Sequence, residues 1–496
     1  MKSANAFSRD VMEMAERETQ GWKMFIGGKW VESRTGKRLT TINPAYNEVL
    51  AEVPAAGAED VEIAVAAAKQ AFPAWSRLHV DERAKYLRAF ADGVRKWARE
   101  FGMLDALDSG NPLTAMIDDA RKGAGLHDFF CGLGMEIKGE TISTPGGGLD
   151  YTRPTPYGVV ARIIPFNHPI SFAAGKIAPA LVAGNTVVLK PAEQTPLSAL
   201  LLGRIVEEHL PPGVVNIVVG NGIDCGSPLV AHRDVRRVAF TGSVEVGRAI
   251  VSSAGIKPVS LELGGKNPMV VFDDVDVEKA AAAAVAGMNF TRSQGQSCGS
   301  NSRVFVHKKL HSAFMEAVID RVAKIKVGLP ELEDTQMGPV VSRKQYDRVM
   351  HYIDAGRKEG ASVTFGGTHS AGEALSQGYF IDPTILDGVR HGMAVERDEI
   401  FGPVMSVLTW DDPDTVLREV NDSEFGLCAN IWTNNIQTGL RFADAIESGY
   451  VWINGHGNKR FKGAPFGGFK SSGIGREHST EELLSYTQIK NVNIAY

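Results

Sequence analysis

Residues 159–190, VVARIIPFNHPISFAAGKIAPALVAGNTVVLK, contain two apolar runs on either side of a segment with helical spacing. The runs at 159–166 and 186–189 predict strands because they are short, apolar and rich in β-branched residues. Residues 170–183 predict a helix between them. A strand, a helix and a second strand in this order are typical of parallel pairing in one sheet. This stretch therefore predicts an α/β fold with a doubly wound sheet.

The same alternation continues on both sides of this stretch and begins again after Gly264. Apolar positions that recur every three or four residues predict helices, and short apolar runs between turn residues predict strands. The predicted helices are 59–75, 81–100, 196–210, 277–288 and 310–325. The predicted strands are 214–219, 235–240, 269–272 and 303–307.

We therefore expect two α/β domains of similar build. The first is assigned to residues 20–131 and 152–264, and the second to residues 265–470. Residues 132–151, which contain three consecutive glycines, predict an extended arm, and residues 478–496 predict a C-terminal strand. Extended segments outside both domains are suited to pairing with another subunit.

Composition excludes several classes of protein. The chain has 496 residues, enough for two or three domains, and its net charge of -5 argues against a nucleic-acid partner. Its four cysteines show no CxxC or CxxH spacing, which argues against a disulfide framework or a zinc site and favours reduced thiols in the cytoplasm. No apolar run is long enough to cross a bilayer, so no membrane association is expected.

Two motifs suggest covalent catalysis. Cys298 lies in GQSCGS (295–300), where small neighbours would let a substrate approach the thiol, and Glu262 lies in LELGGKNP (261–268) between two leucines. Burial would raise the pKa of such a glutamate toward neutrality, as a general base requires. A thiol and a base are the pair that covalent chemistry at a carbonyl needs. The alternatives are a packed structural cysteine and a strand-end carboxylate that faces solvent or pairs with Lys266.

Other motifs suggest an oxyanion donor and a phosphate site. Asn167 lies between a predicted strand and a predicted helix, where its amide could stabilise an oxyanion or simply form a turn. The segment FTGSVEVG (240–247) joins a strand to a helix and would offer backbone N–H groups to a pyrophosphate. Lys190 and Glu193 follow another strand, at the edge where doubly wound sheets bind nucleotides; a solvated loop pair is the alternative.

Taken together, these residues in this order closely resemble the aldehyde dehydrogenase superfamily. The resemblance also includes EIFGP (399–403) and PFGGFKSSG (465–473), and it extends from about residue 21 to the end of the chain. It is closest to the members that release a free acid, such as betaine aldehyde and general aldehyde dehydrogenases, because Glu262 is present. It implies a Rossmann-like cofactor domain, a second α/β catalytic domain and an extended oligomerisation arm.

The resemblance also implies roles for the motif residues. Cys298 would attack the aldehyde, Asn167 would hold the oxyanion, Glu262 would activate water, and Lys176 would lie near the active site. Glu193 would favour NAD over NADP, which is the less favoured alternative, and no catalytic metal is expected. The implied cofactor contacts are Ile164, Pro165, Lys190, Glu193, Gly220, Phe240, Thr241, Gly242, Ser243, Val246, Gly264, Glu399 and Phe401.

The substrate and the assembly are open to more than one interpretation. Arg292, helped by the basic loop HGNKRFK (456–462), suggests an aldehyde with a distal anionic group, unless Arg292 points outward. His168 and Phe466 are the other expected substrate contacts, and Gly175 suggests a wide tunnel. A neutral aromatic, aliphatic or betaine-type aldehyde is the alternative, and a catalytically silent homologue is an alternative of another class. The family implies a homodimer or homotetramer.

Overall fold

The structure is a computed structural model that describes residues 6–145, 147–370, 372–457 and 460–495. Gly146 of the predicted arm, Asn458 and Lys459 of the basic loop and Tyr496 of the C-terminal strand lie outside the described residues.

The strands are short and occur throughout the described residues. They are β1 (Met24–Ile26), β2 (Lys29–Val31), β3 (Arg38–Asn43), β4 (Glu48–Pro54), β5 (Thr141–Ser143), β6 (Leu149–Pro156), β7 (Val159–Ile163), β8 (Thr186–Lys190), β9 (Val215–Ile217), β10 (Val235–Thr241), β11 (Val259–Glu262), β12 (Pro268–Val271), β13 (Arg303–His307), β14 (Ser362–Phe365), β15 (Thr384–Asp387), β16 (Val404–Trp410), β17 (Phe425–Gly426), β18 (Cys428–Trp432), β19 (Tyr450–Ile453), β20 (Phe469–Lys470), β21 (Gly473–Ile474) and β22 (Thr487–Ile494).

The helices alternate with the strands over most of the chain. They are α1 (Ala6–Glu18), α2 (Ala58–Arg77), α3 (Val80–Lys96), α4 (Ala98–Ser109), α5 (Leu113–Leu133), α6 (Pro169–Gly175), α7 (Ala178–Val182), α8 (Leu197–His209), α9 (Ser227–Ala231), α10 (Val244–Ser253), α11 (Val277–Gly287), α12 (Phe290–Ser293), α13 (His311–Val322), α14 (Arg343–Glu359), α15 (Ala394–Arg397), α16 (Pro413–Asn421), α17 (Ile436–Ala445) and α18 (Thr480–Leu484).

The first large sheet has the strand order β2-β1-β9-β8-β7-β10-β11-β21 in the described residues. Its five central strands, β9 to β11 in this order, are parallel, and antiparallel strands flank them. The chain runs outward from β7 to β9 and then returns to place β10 on the other side of β7. This reversal creates a crevice at the carboxyl ends of β7 and β10, where sheets of this type bind ligands.

The second large sheet has the order β14-β15-β16-β13-β12-β18-β19, and all of its pairs except β14–β15 are parallel. Together the two sheets confirm the predicted α/β class. Glu262 ends β11 at the carboxyl edge of the first sheet, and six residues later Pro268 begins β12 at the amino edge of the second. The carboxyl edge of one sheet therefore faces the amino edge of the other.

The prediction of one helix over residues 170–183 was wrong. This segment forms two short helices, α6 and α7. The break lies at Lys176 and Ile177, just before Pro179, which has no N–H to donate to the preceding turn. Pro196 is the N-cap of α8 and not its first residue. The strand predicted at 303–307 is confirmed as β13 at both ends.

The arm forms a separate sheet of three strands in the order β22-β6-β5 within the described residues. β22 pairs antiparallel with β6 from Thr487 opposite Pro156 to Ile494 opposite Leu149. The arm and the C-terminal strand thus pair with each other in one chain.

The domain bounds given above stay a prediction. None of the described helices is long and apolar enough to cross a membrane.

A buried ion pair joins the second sheet to its covering helices. Arg303, the first residue of β13, donates to Glu396 at 2.6 Å and to the carbonyl oxygens of Lys266 and Val420 at 2.8 and 3.0 Å. Arg303 and Glu396 are both fully buried. Removal of one partner would leave a buried charge without compensation.

We therefore expect Glu396→Ala to lower the free energy of unfolding by about 3–5 kcal/mol, because the Arg303 guanidinium would remain buried and unpaired. The measurement is the midpoint of urea-induced unfolding. Asp411→Ala, which breaks the exposed ion pair with Lys308, is the matched control and should cost less than about 1 kcal/mol. Equal losses in the two variants would contradict this account.

Candidate active site

Two cavities meet at the junction of the two sheets. The first has a volume of about 410 Å³ and follows the carboxyl ends of β7 and β10. The second, of about 340 Å³, opens between α5, α6 and the loop before β20. The residues that line both cavities are Phe172, Thr241, Glu262 and Cys298. The structure therefore brings the predicted thiol and the predicted base together where the cavities meet.

The loop that carries Cys298 is held by buried amides. The side chain of Asn267 donates to the carbonyl oxygens of Cys298 and Ser300 at 2.7 and 2.8 Å and accepts from the N–H of Cys428 at 2.9 Å. Gly295 has a positive φ of 69°, and a side chain there would collide with the carbonyl oxygen of Gly402. Only glycine fits this close approach, which explains part of the GQSCGS motif.

Cys298 is half-buried, whereas Cys131, Cys225 and Cys428 are buried. Burial raises the pKa of the Cys298 thiol to about 11, although Arg460 opposes this effect. The thiol is therefore protonated at neutral pH in the absence of a ligand.

Asn167 is buried, and its Nδ2 donates to the carbonyl oxygen of Gln296 at 2.9 Å. Asn111 donates to the carbonyl oxygen of Asn167 at 2.9 Å and fixes this turn. One N–H of Nδ2 is thus directed at the loop that carries the thiol, and its second N–H is left for another acceptor. This arrangement suits the predicted oxyanion donor.

Glu262 ends β11 and is buried, and its Oε1 has no hydrogen-bond partner among the described residues. Burial raises its pKa well above the usual value, and the charge of Glu477 raises it further. The alternative pairing with Lys266 does not occur in the described part of the chain. Glu262 is thus a buried carboxyl with an oxygen left for another donor.

Lys176 belongs to a buried charge network beside the two cavities. Its Nζ donates to both carboxylate oxygens of Glu477 at 2.7 and 2.6 Å and to Oγ1 of Thr241 at 3.0 Å. Arg162 donates to the same carboxylate at 2.9 Å. Burial alone would raise the pKa of Glu477, but Lys176 and Arg162 hold it below its usual range. Glu477 is therefore a fixed anion. No sequence motif pointed to it.

The predicted cofactor contacts divide into two groups. One group lines the first cavity: Pro165, Thr241, Gly242, Ser243, Gly264, Glu399 and Phe401. The other group does not line it: Ile164, Lys190, Glu193, Gly220, Phe240 and Val246. Lys190 ends β8, with its Nζ bonded to the carbonyl oxygen of Pro191, and Glu193 is half-buried in the loop that follows. Val246 is exposed on α10.

Helix α14 supplies cavity residues that sequence reasoning missed. Gln345 donates to the carbonyl oxygen of Phe401 at 2.7 Å, and Arg348 donates to the carbonyl oxygen of Glu399. Both residues line the first cavity, as does Tyr352. Gln345 and Arg348 hold the EIFGP loop (399–403) against the first cavity, although both lie about 50 residues before that loop in the sequence. Nothing in the local sequence of this amphipathic helix indicates that role.

The structure does not support Arg292 as a free cation for an anionic substrate. Arg292 lines the second cavity, so it does not point outward, but it forms ion pairs with Asp118 at 3.1 Å and with Asp119. Asp119 is buried and also accepts from Nδ1 of His168 at 2.6 Å. Burial, together with Lys122, lowers the pKa of His168 to about 3, so this ring is neutral. The two aspartates lie in α5, far from Arg292 in sequence, which is why the pattern failed to show them.

Comparison with known proteins gives consistent matches over the whole chain. The aldehyde dehydrogenase family model matches residues 30–492. The aldehyde dehydrogenase tropH of Talaromyces stipitatus is 42% identical over 480 residues, which cover 95% of this chain and 93% of that protein. A betaine aldehyde dehydrogenase of Brucella anthropi is 44% identical over 474 residues, which cover 95% of this chain and 96% of that protein. The solved structure of betaine aldehyde dehydrogenase from Staphylococcus aureus in complex with NAD+ has a TM-score of 0.94 at 35% identity, over 99% of this chain and 98% of that chain.

We expect iodoacetamide to alkylate Cys298 slowly at pH 7 and about tenfold faster for each pH unit up to pH 9, because a pKa of about 11 leaves little thiolate below that range. The measurement is the pseudo-first-order rate of labelling, followed by mass spectrometry of the peptide that contains Cys298. Cys298→Ala should remove the label, since the other three thiols are buried. A labelling rate that levels off below pH 8 would contradict the raised pKa.

Proposed function

The chain belongs to the aldehyde dehydrogenase family, and we propose that it oxidises an aldehyde to the free carboxylic acid with NAD⁺ through a thioester on Cys298. The observation that carries this proposal is the position of Cys298 and Glu262 on the wall shared by the two cavities. A nucleophile and a base at such a junction can act on one carbon from both sides.

In the first step, the Cys298 thiol loses its proton to water, and Sγ forms a bond to the aldehyde carbon. The electron pair of the C=O π bond moves to oxygen and gives a thiohemiacetal oxyanion. We assign the stabilisation of this oxyanion to two donors, the second N–H of Asn167 Nδ2 and the backbone N–H of Cys298. The hydrogen bond from Asn167 to Gln296 supports this role because it sets the direction of the amide.

In the last step, Glu262 removes a proton from water as the water oxygen bonds to the thioester carbon. The C–S bond then breaks, the electron pair returns to Cys298, and the carboxylic acid leaves. The raised pKa of Glu262 supports this assignment because a carboxylate with a raised pKa is a stronger base. Glu477, held ionised by Lys176 and Arg162, is one of the groups that keeps the pKa raised.

The first cavity suits the pyrophosphate and nicotinamide part of a dinucleotide. The N-terminus of α10 opens onto it through Ser243, Val244 and Glu245, and free N–H groups at a helix N-terminus suit a pyrophosphate. A side chain at Gly264 would collide with the carboxylate of Glu399, so glycine lets this carboxylate approach the loop. We assign Glu399 and Phe401 to the nicotinamide ribose and its ring. The chemistry that NAD⁺ supplies when bound is acceptance of the hydride released from the thiohemiacetal.

We further propose that the arm sheet joins subunits into a homodimer or homotetramer. β22 is an edge strand of that sheet in the described residues, so its outer side offers unpaired backbone groups. Ile489 on this strand is 65% exposed. An exposed edge of this kind is suited to strand addition.

We place the protein in the cytoplasm. All four cysteines are free thiols in the structure. Free thiols support a reducing compartment, since disulfides are common in oxidising ones.

Glu262→Gln should stop turnover after one equivalent of NADH has formed at each site, because acylation would proceed and hydrolysis would not. We expect the steady-state rate to fall by about 10²–10⁴-fold, the usual contribution of a general base. Rapid-mixing absorbance at 340 nm measures the burst, and mass spectrometry detects the acyl group on Cys298. Glu333→Gln, at an exposed glutamate paired with Arg99, is the control. Loss of the burst as well would mean that Glu262 acts before hydrolysis.

Glu193→Ser should raise kcat/KM for NADP⁺ relative to NAD⁺ by at least about tenfold, because a carboxylate beside the ribose would repel the 2′-phosphate. Initial rates with both cofactors at one aldehyde concentration give this ratio. Glu208→Ser, at an exposed position near the end of α8, is the control. An unchanged ratio would show that Glu193 does not contact the adenosine ribose.

A further inference from the structure

Most cations around the second cavity already have carboxylate partners. Lys176 pairs with Glu477, and Arg292 pairs with Asp118 and Asp119. The other cations on the cavity wall are Lys122, Arg460 and Lys462. Lys122 pairs with Asp118 at 2.7 Å, and Lys462 donates to the carbonyl oxygen of Gly125 at 2.6 Å at an exposed position. Arg460 therefore differs from the rest.

Arg460 has no ion-pair partner among the described residues, and its Nε is buried without a hydrogen-bond acceptor there. Its guanidinium lies over the ring of Phe466, with Cζ 3.8 Å from the ring centroid, so its orientation is fixed by packing. A side chain at position 299 would collide with Nη2 of Arg460. Gly299 thus makes room for this cation beside Cys298.

We infer that Arg460 binds a carboxylate carried by the substrate, so that this enzyme prefers aldehydes with a second, anionic group; the inference rests on the proposed function. A guanidinium offers several N–H donors in one plane, which match the two oxygens of a carboxylate. A substrate carboxylate would supply the acceptor and the negative charge that Arg460 lacks among the described residues. The anionic-substrate hypothesis is thus kept, but its residue is Arg460 and not Arg292.

The same cation disfavours a trimethylammonium group. Two positive charges in a cavity partly shielded from water repel each other strongly. The Phe466 ring is buried and one of its faces is covered by Arg460, so that face is not open to a substrate cation. The chain therefore differs in expected substrate from relatives that are called betaine aldehyde dehydrogenases, despite 44% identity to one of them.

The test compares kcat/KM for matched aldehydes: 4-carboxybenzaldehyde with 4-methylbenzaldehyde, and succinate semialdehyde with butanal. Betaine aldehyde supplies a positive charge. We expect the wild-type enzyme to favour the carboxylate member of at least one pair by tenfold or more over its neutral partner and over betaine aldehyde. Arg460→Gln should remove this preference, mainly through a higher KM for the carboxylate members. Any loss that acts through the Cys298 thiol, whose pKa Arg460 lowers, should be equal for both members of a pair.

Two further variants separate charge from packing. Arg460→Lys keeps the charge and should retain part of the preference, which a merely structural role would not predict. Arg441→Gln removes the same charge from α17, where Arg441 pairs with Asp414 at the surface, and should change nothing. A wild-type preference for the neutral or cationic aldehydes would overturn the inference. So would an equal loss on both members of each pair in Arg460→Gln, which would assign Arg460 to stabilisation of the Cys298 thiolate.

A binding measurement keeps the inference separate from the proposed function. Terephthalate is the product that 4-carboxybenzaldehyde would give, and its Kd can be measured by titration calorimetry without turnover. We expect a Kd at least tenfold lower for wild type than for Arg460→Gln, with no such difference for 4-methylbenzamide, which carries no carboxylate. If no aldehyde is oxidised but this difference is found, the proposed function fails and the carboxylate site stands. Equal Kd values for terephthalate would overturn the site whatever the activity.

Discussion

The buried side chain of Asn267 holds the reactive loop to the second sheet. Its three hydrogen bonds tie the residues before β13 to the first residue of β18, and β12, which follows Asn267, lies between those two strands. A buried amide that satisfies three backbone groups is costly to replace, because each group would otherwise lose its partner. The position of Cys298 relative to the edge of the first sheet depends on this contact. The chemistry proposed for the junction would therefore depend on a residue that does not take part in it.

Two buried glutamates close to this junction have opposite electrostatic surroundings. Glu477 has Lys176 and Arg162 as partners, whereas Glu262 has a free oxygen and a neighbouring negative charge. Lys176 and Arg162 hold the pKa of Glu477 below its usual range, whereas burial, together with the charge of Glu477, raises the pKa of Glu262 well above its usual value. Environments that separate two pKa values in this way are a common means of assigning different roles to identical side chains. The wall of the site thus provides one fixed charge and one proton acceptor.

The fold class could be predicted, and so could the candidate site to which Cys298 and Glu262 belong, because their signals are local. The strand at 303–307 and the motif of Cys298 are read from neighbouring residues, and they reappear in the structure. Contacts between distant segments could not be read in this way. Arg292 looked like a free cation until α5 placed Asp118 and Asp119 beside it, from 174 and 173 residues upstream. Arg460, which lines the second cavity and has no carboxylate partner among the described residues, has no local feature that distinguishes it from its basic neighbours.

The pairing of β6 with β22 has a consequence for biosynthesis. Thr155 and Gln488, which are joined by a hydrogen bond across these strands, are 333 residues apart. A chain leaves the ribosome from its N-terminus at about 5–20 residues per second, so β6 emerges tens of seconds before its neighbour exists. During that interval one edge of β6 is open to pairing with other chains. The nascent protein is therefore exposed to misassembly until β22 is made, and chaperones would be needed at that stage.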